Sequence, residues 1–203
     1  GFNIRHRRSS GSMCPPTSSA DSKRAVVIVD PLSTGALVSA KAAERGYLVV
    51  RLWSEECPAE LRLHVSPTSK DCFAATLLHE GDLSTANLER TAQRIAALGL
   101  DVVAVICGSE PGVNLTDALA EHMGMRGNGT ELARVRRHKF NQSEAVRAAG
   151  QRAVKQVLAT SVDQARDFVR ELAPSPFRII VKPVESAGSE DVKLCRCEEE
   201  VFD

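Results

Sequence analysis

Apolar residues in the first half of the chain come in short unbroken runs, with amphipathic stripes between them. Ala25-Val26-Val27-Ile28-Val29 is a run of the kind found in strands buried on both faces of a parallel sheet. After the Asp30-Pro31 turn, Ser33 or Thr34 can cap a helix with apolar positions at Leu37, Val38, Ala40 and Ala43, and Gly46 is its stop. Tyr47 to Leu52 reads as a second strand. Asn87 to Leu98 repeats the helical stripe through Leu88, Ala92, Ile95 and Ala96, Gly99 ends it, and Val102 to Ile106 is another buried run. Strand, helix, strand, repeated, predicts an open α/β sheet. Residues 55–82 contain Pro58 and Pro67 and are less regular, with Leu61 to Val65 and Phe73 to Leu78 as the short elements expected there. Gly108-Ser109-Glu110-Pro111-Gly112 lies just past the carboxyl end of a predicted strand, where open α/β sheets place their ligands. Leu115 to Met123 is the next helix.

The pattern changes near residue 128, where Gly124, Gly127, Asn128 and Gly129 cluster. A domain boundary is expected there, giving a polar tail (1–23), an α/β domain (24–128) and a second unit (129–203). In the second unit a helix over Glu131 to Arg137 runs into Arg136-Arg137-His138-Lys139. Asn141 with Glu144 predicts a capped helix through Ala149, stopped by Gly150, and Ala153 to Leu158 reads as a strand. Ser161 with Gln164 forms a second capping box, opening a helix with the apolar face Val162, Ala165, Phe168, Val169 and Leu172, closed by Pro174 and Pro176. Phe177 to Lys182 and Val192 to Cys197 are then two strands joined by a loop of small residues.

Composition narrows the function classes. Across 203 residues, 26 Lys and Arg balance 26 Asp and Glu, so no overall field draws the molecule to nucleic acid or to an anionic membrane, and any anion site must be local. No apolar run approaches the roughly 20 residues of a membrane span, and Gly1 to Lys23 lacks the apolar core of a signal peptide, so a cytoplasmic protein is expected. Six cysteines scattered along the chain suit reduced thiols, and the Cys195-x-Cys197 pair lacks the further ligands of a metal site. Gly1 in place of Met at the start, and the acidic, helix-like Glu198 to Asp203 at the end, read as a truncated chain.

Chemistry concentrates after the strand Phe177 to Lys182. Side chains alternate along it, so Arg178, Ile180 and Lys182 share one face, and Pro183 biases Lys182 toward an extended backbone. The loop Glu185-Ser186-Ala187-Gly188-Ser189 offers backbone N–H groups, two hydroxyls and side chains small enough for a phosphate to approach the main chain. A plain turn uses the same residue types, and it is the adjacent lysine that favours an anion site.

Val181-Lys182-Pro183-Val184-Glu185-Ser186-Ala187-Gly188-Ser189 followed by Val192 resembles the lysine strand and glycine-rich loop of ATP-grasp carboxylate-amine ligases. Gly124 to Gly129, Arg136-Arg137-His138-Lys139 and Ala149-Gly150 resemble the segment of that family that carries its first nucleotide-binding lysine. Gly108 to Val113 is similar to the branch that includes amino-acid and dipeptide ligases. The resemblance extends over about residues 24–203. It implies a pre-ATP-grasp, Rossmann-like parallel-sheet domain followed by the start of an ATP-grasp α+β domain. It further implies that Lys139 and Lys182 contact ATP phosphates and that Ser186 to Ser189, behind Glu185, form a flap over them. The expected reaction is amide-bond formation between a carboxylate and an amine through an acyl phosphate, with ATP, Mg²⁺ and a small substrate such as an amino acid. The magnesium ligands are expected beyond residue 203. A homodimer is compatible with this reading. Relatives commonly carry an acidic residue where this chain has His138, so the salt link expected beside Lys139 is either missing or replaced here.

Other readings are weaker. The turn Asp30 to Gly35 lacks G-x-G-x-x-G, which removes the pyrophosphate site of a dinucleotide fold. The basic cluster Arg134 to Lys139 has no interleaved aromatics, against nucleic-acid binding. Ser33, Thr34, Gly35 and Glu110 lie at strand ends and are candidate substrate contacts, although capping and turn roles account for the same residue types. The alternative function is a non-catalytic nucleotide-binding or interaction module.

Overall fold

The computed structural model describes residues 23–63, 66–186 and 191–202. The first predicted run forms β1 (Arg24–Val29), and Ala25 to Val29 are almost wholly excluded from solvent. A strand this apolar is stable only between two neighbours and beneath helices on both faces, and it has all of these. It pairs in parallel with β2 (Leu48–Trp53) on one side and with β4 (Asp101–Cys107) on the other, while β3 (Phe73–Leu78) pairs with β2. The strand order is therefore β3-β2-β1-β4.

Helix α1 (Thr34–Glu44) covers one face, packing Val38, Ala42 and Ala43 over Val26, Ile28 and Val49. Helices α3 (Thr85–Ala96) and α4 (Val113–His122) cover the other with Leu88, Ile95, Leu115 and Leu119 against Val27, Val29, Val50 and Leu52. The irregular segment supplies β3 and a short helix, α2 (Ala59–Leu63). Gly46 and Gly99, the expected helix stops, both adopt positive φ, at 84° and 65°. His79 is a core residue, its ring nitrogens 2.8 Å from Thr91 Oγ1 and 3.1 Å from the Asp82 carbonyl.

The remaining elements are α5 (Ala133–Arg137), α6 (Lys139–Ala148), α7 (Val162–Leu172), β5 (Ile179–Val181), β6 (Lys193–Cys195) and α8 (Glu199–Phe202). Strands β5 and β6 pair antiparallel, and Ile179 and Cys195 pack with Val169 of α7 and Phe202 of α8 into a small second core. The Ser161 cap of α7 is present, its hydroxyl accepting the Gln164 N–H at 3.3 Å.

Three expectations are corrected. Residues 153–158 form no strand: the segment lies along α6, held by Arg147 Nη2 to the Val154 carbonyl (2.7 Å) and by Gln156 Nε2 to the Phe140 carbonyl (2.8 Å). Helix α6 starts at Lys139, with His138 as its cap; His138 Nδ1 accepts the Asn141 N–H at 3.4 Å, and Glu144 turns to Arg147 and Gln156. The two late strands are each three residues long, so Lys182 lies one residue past the end of β5. Among the described residues, no helix is long and apolar enough to cross a membrane.

Candidate functional site

Strand order places the site. The chain leaves β1 toward β2 on one side and returns through β4 on the other, so the carboxyl ends of β1 and β4 flank a topological switch point, the position where open α/β sheets bind ligands. A cleft of about 560 Å³ opens there, lined by Ser33 and Thr34 after β1, by Ser109 and Glu110 after β4, and by Arg137, Lys139 and Ser186 from later in the chain.

The first wall is built on a strained turn. Asp30 and Ser33 have positive φ, 48° and 46°, a conformation that costs a non-glycine residue about 1–3 kcal/mol and needs strong local support. Asp30 supplies it. Its carboxylate is fully buried and accepts the Ser54 N–H at 2.8 Å and the Ser54 hydroxyl at 2.5 Å, while its carbonyl accepts the Ser109 hydroxyl at 2.7 Å. Burial holds the Asp30 carboxyl above its ordinary range despite these bonds. Nearby Cys57, buried and next to the Asp30 charge, has its thiol pushed up to about 11, which leaves it an inert core residue.

Gly35 explains why the two loops can meet. A Cβ built on it would overlap the carbonyl of Gly108, and one on Gly108 would lie 2.7 Å from the Val29 carbonyl oxygen. Both neighbours are backbone, which cannot swing aside as a side chain would. Gly35→Ala is therefore expected to destabilise the fold by about 1–3 kcal/mol, read as a lowered denaturant midpoint in equilibrium unfolding. An unchanged midpoint would mean that the loops separate freely. Gly35 thus shapes the cleft from beneath and does not line it, whereas Ser33, Thr34 and Glu110 do.

The second wall is Lys139. Its backbone N–H donates to the Val184 carbonyl at 2.8 Å, and its ammonium donates to the Ser186 carbonyl at 2.8 Å and hydroxyl at 3.1 Å. An ammonium has three donors, and among the described residues two of them are used on Ser186. The start of α6 and the start of the predicted flap are thereby tied together. Lys182 and Glu185 are exposed and do not line the cleft, and Ala187, Gly188 and Ser189 lie outside the described residues.

Arg137, expected only as part of a basic cluster, lines the cleft, and its neighbour Arg136 makes a separate contact. Arg136 lies against Asp117, its Nε and Nη2 at 2.9 and 2.7 Å from Oδ2. Arg137 reaches Glu110, Nη1 to Oε1 2.8 Å, and more distantly Glu56. These contacts join α5 to α4 and to the loop after β4. The only signal for them was the Arg-Arg pair itself, which does not name its partners.

No group of three or more His, Cys, Asp or Glu side chains is arranged to hold a metal among the described residues, and Glu110, the one carboxylate lining the cleft, is engaged by Arg137. The Lys139 ammonium and the Ser186 hydroxyl are donors suited to phosphate oxygens.

No family model matches the chain. It is 25% identical over 180 residues to the dapdiamide A synthase of Enterobacter agglomerans, an alignment covering 86% of this chain and 39% of that protein. Among solved structures it is similar to the L-amino acid ligase of Bacillus licheniformis, with a TM-score of 0.59 at 14% identity over 90% of this chain and 41% of that one. The N5-carboxyaminoimidazole synthetase of Staphylococcus aureus, solved with ADP, gives 0.53 at 14% identity over 88% and 42%. The fold is that of the leading part of ATP-grasp ligases. Both the α/β fold class and the ATP-grasp resemblance expected from the sequence are borne out. The chain spans about two fifths of the length of these ATP-grasp relatives.

Proposed function

We propose that this chain is the phosphate-holding part of an ATP-dependent carboxylate-amine ligase. The observation that carries the reading is the Lys139–Ser186 contact, which sets a lysine and the predicted flap together over a cleft at the sheet's switch point. The similar proteins named as a synthase, a ligase and a synthetase, the last solved with ADP, support nucleotide binding and the general kind of reaction.

In this reading Lys139 and Lys182 neutralise phosphate charge, and Glu185 to Ser189 close over it. ATP supplies the phosphoryl group that activates a carboxylate as an acyl phosphate, which an amine then attacks. The protein's part in such a transfer is positioning and charge compensation. Lys139 is prepositioned for it, because its backbone is fixed by Val184 and its ammonium by Ser186. The hydroxyls of Ser33 and Thr34 and the carboxylate of Glu110 form the opposite wall, suited to a small substrate bearing both an amine and a carboxylate. Such a substrate is an amino acid.

Calorimetric titration with ADP tests the reading. Saturable binding is expected, and its absence at millimolar ADP would remove the nucleotide role. With ADP bound, an effect of added amino acid on ADP affinity separates a ligase part from a purely nucleotide-binding or interaction module, for which no such linkage is expected.

A further inference from the structure

Two neighbouring arginines cross from α5 to the first unit, and they are satisfied to different degrees. Arg136 is bonded in line: Nε and Nη2 donate to Asp117 Oδ2, Nη2 also donates to the Gly129 carbonyl, and Asp117 is buried. That is a structural clasp, with the Nε and Nη2 donors used. Arg137 is only 11% exposed, yet its Nε and Nη1 have no hydrogen-bond partner among the described residues. Glu110 Oε1 lies 2.8 Å from Nη1, so the contact is one of charge without an aligned N–H. Buried guanidinium donors are costly to leave unbonded, and an arginine with a purely structural task would be expected to resemble Arg136.

The charge count around Arg137 points the same way. Glu110 lies on one side of it and Glu56 on the other, Nη2 to Oε2 3.8 Å, and Asn114 Nδ2 steadies Glu56 from behind at 3.0 Å. Two carboxylates share this one guanidinium, and Arg137 can pair closely with only one of them at a time. Both carboxylate side chains are about half exposed, at 43% and 45%, so a ligand can reach them.

We infer that Arg137 is a positioning residue that holds Glu110 at the cleft until an ammonium-bearing substrate arrives, then gives up Glu110 to that ammonium and pairs with Glu56. The exchange gives Glu110 an ammonium to face and leaves Glu56 to the Nη2 side of Arg137. It rests on the ligase reading, and it deepens that reading by making recognition of the amine depend on a residue that does not itself touch it. Selection follows from charge: a ligand with an ammonium drives the exchange, and one with a carboxylate alone does not.

The test uses the full chain with ¹⁵N-labelled arginine, L-alanine, ethylammonium and acetate as probes, and the Arg137 and Arg136 Nε–H signals assigned from R137K and R136K. L-Alanine and ethylammonium are expected to move the Arg137 signal and leave that of Arg136 in place, whereas acetate moves neither. In E110Q the response of Arg137 to L-alanine is expected to vanish. R137M is expected to bind L-alanine about tenfold more weakly than the wild type, and R137K within about threefold of it, since a charge-assisted contact of this size is at stake. An Arg137 signal indifferent to L-alanine, a response that survives in E110Q, or equal affinity in R137M and R137K overturns the proposal. The E110Q arm decides the matter even if R137M does not fold. ADP binding measured on the same sample separates the two readings: ADP bound with Arg137 indifferent sinks the exchange alone, and no ADP binding sinks the ligase reading beneath it.

Discussion

Lys139→Ala is expected to weaken ADP binding by about 10- to 150-fold while hardly changing the unfolding midpoint. The loss corresponds to one charge-assisted hydrogen bond to phosphate, about 1.5–3 kcal/mol. The half-buried Lys139 ammonium is held at the cleft by Ser186, so binding does not have to order a free side chain, and little of that energy is spent on immobilisation. Stability is spared because the structural bond of this residue, to the Val184 carbonyl, is made by its backbone N–H, which alanine keeps. Arginine would not restore the site, since a planar fork cannot reproduce donors directed at both Ser186 and a phosphate. Calorimetry with ADP and chemical denaturation on the same preparations check both halves. An alanine variant that binds ADP within about threefold of the wild type would take Lys139 out of the phosphate site. The same loss accompanied by a large fall in stability would instead assign Lys139 to holding the loop.

How far the sequence disclosed this site depended on the range of the interaction. The run Ala25 to Val29 was legible because burial on both faces leaves no polar position to interrupt it. The approach of the loops after β1 and β4 followed from the strand-helix-strand rhythm, and Gly35 and Gly108 are where that approach is closest. Lys139 was picked out by resemblance alone, and its contact with Ser186 joins two elements distant in sequence. Such contacts carry no local period. The pairing of Arg137 with Glu110 and Glu56 was missed for the same reason.

Local rules failed where two of them competed. Asn141 with Glu144 matches a capping box, but the cap lies three residues earlier, with His138 Nδ1 as the acceptor. A carboxylate would accept there more strongly than an imidazole, which gives a physical meaning to the acidic residue expected from the family pattern. Residues 153–158 have a strand-like composition, yet a strand needs a neighbour, and side-chain bonds from Arg147 and Gln156 tie this segment to α6 without a ladder.

Asp30→Ala is expected to cost the fold about 2–5 kcal/mol, the largest stability effect of any substitution near the cleft. It removes the acceptor for two buried donors at once, the Ser54 N–H and hydroxyl, each costing about 1–3 kcal/mol when left unbonded. The Ser54 hydroxyl also accepts the Cys57 N–H at 3.1 Å, so the disturbance passes to the start of the irregular segment. Asp30→Asn keeps an acceptor for the Ser54 N–H and should cost less, and the two variants differ in how their stability depends on pH. Burial raises the folded-state value of the Asp30 carboxyl above its ordinary 3.8. Between that value and the raised one, the folded chain retains a proton that the unfolded chain has released. The stabilisation due to the protonated acid is therefore full below about 3.8 and is lost as pH rises through the folded-state value. Asparagine cannot titrate, so the difference in stability between wild type and Asp30→Asn should shift toward the variant as pH rises through that window and become constant above it. Urea midpoints at a series of pH values from mildly acidic to neutral measure this directly. An Asp30→Ala variant within about 1 kcal/mol of wild type would show that the strained turn carrying Ser33 holds its shape without Asp30. A difference that moves the opposite way with pH would mean that the hydrogen bonds from Ser54 outweigh burial and hold the carboxylate ionised.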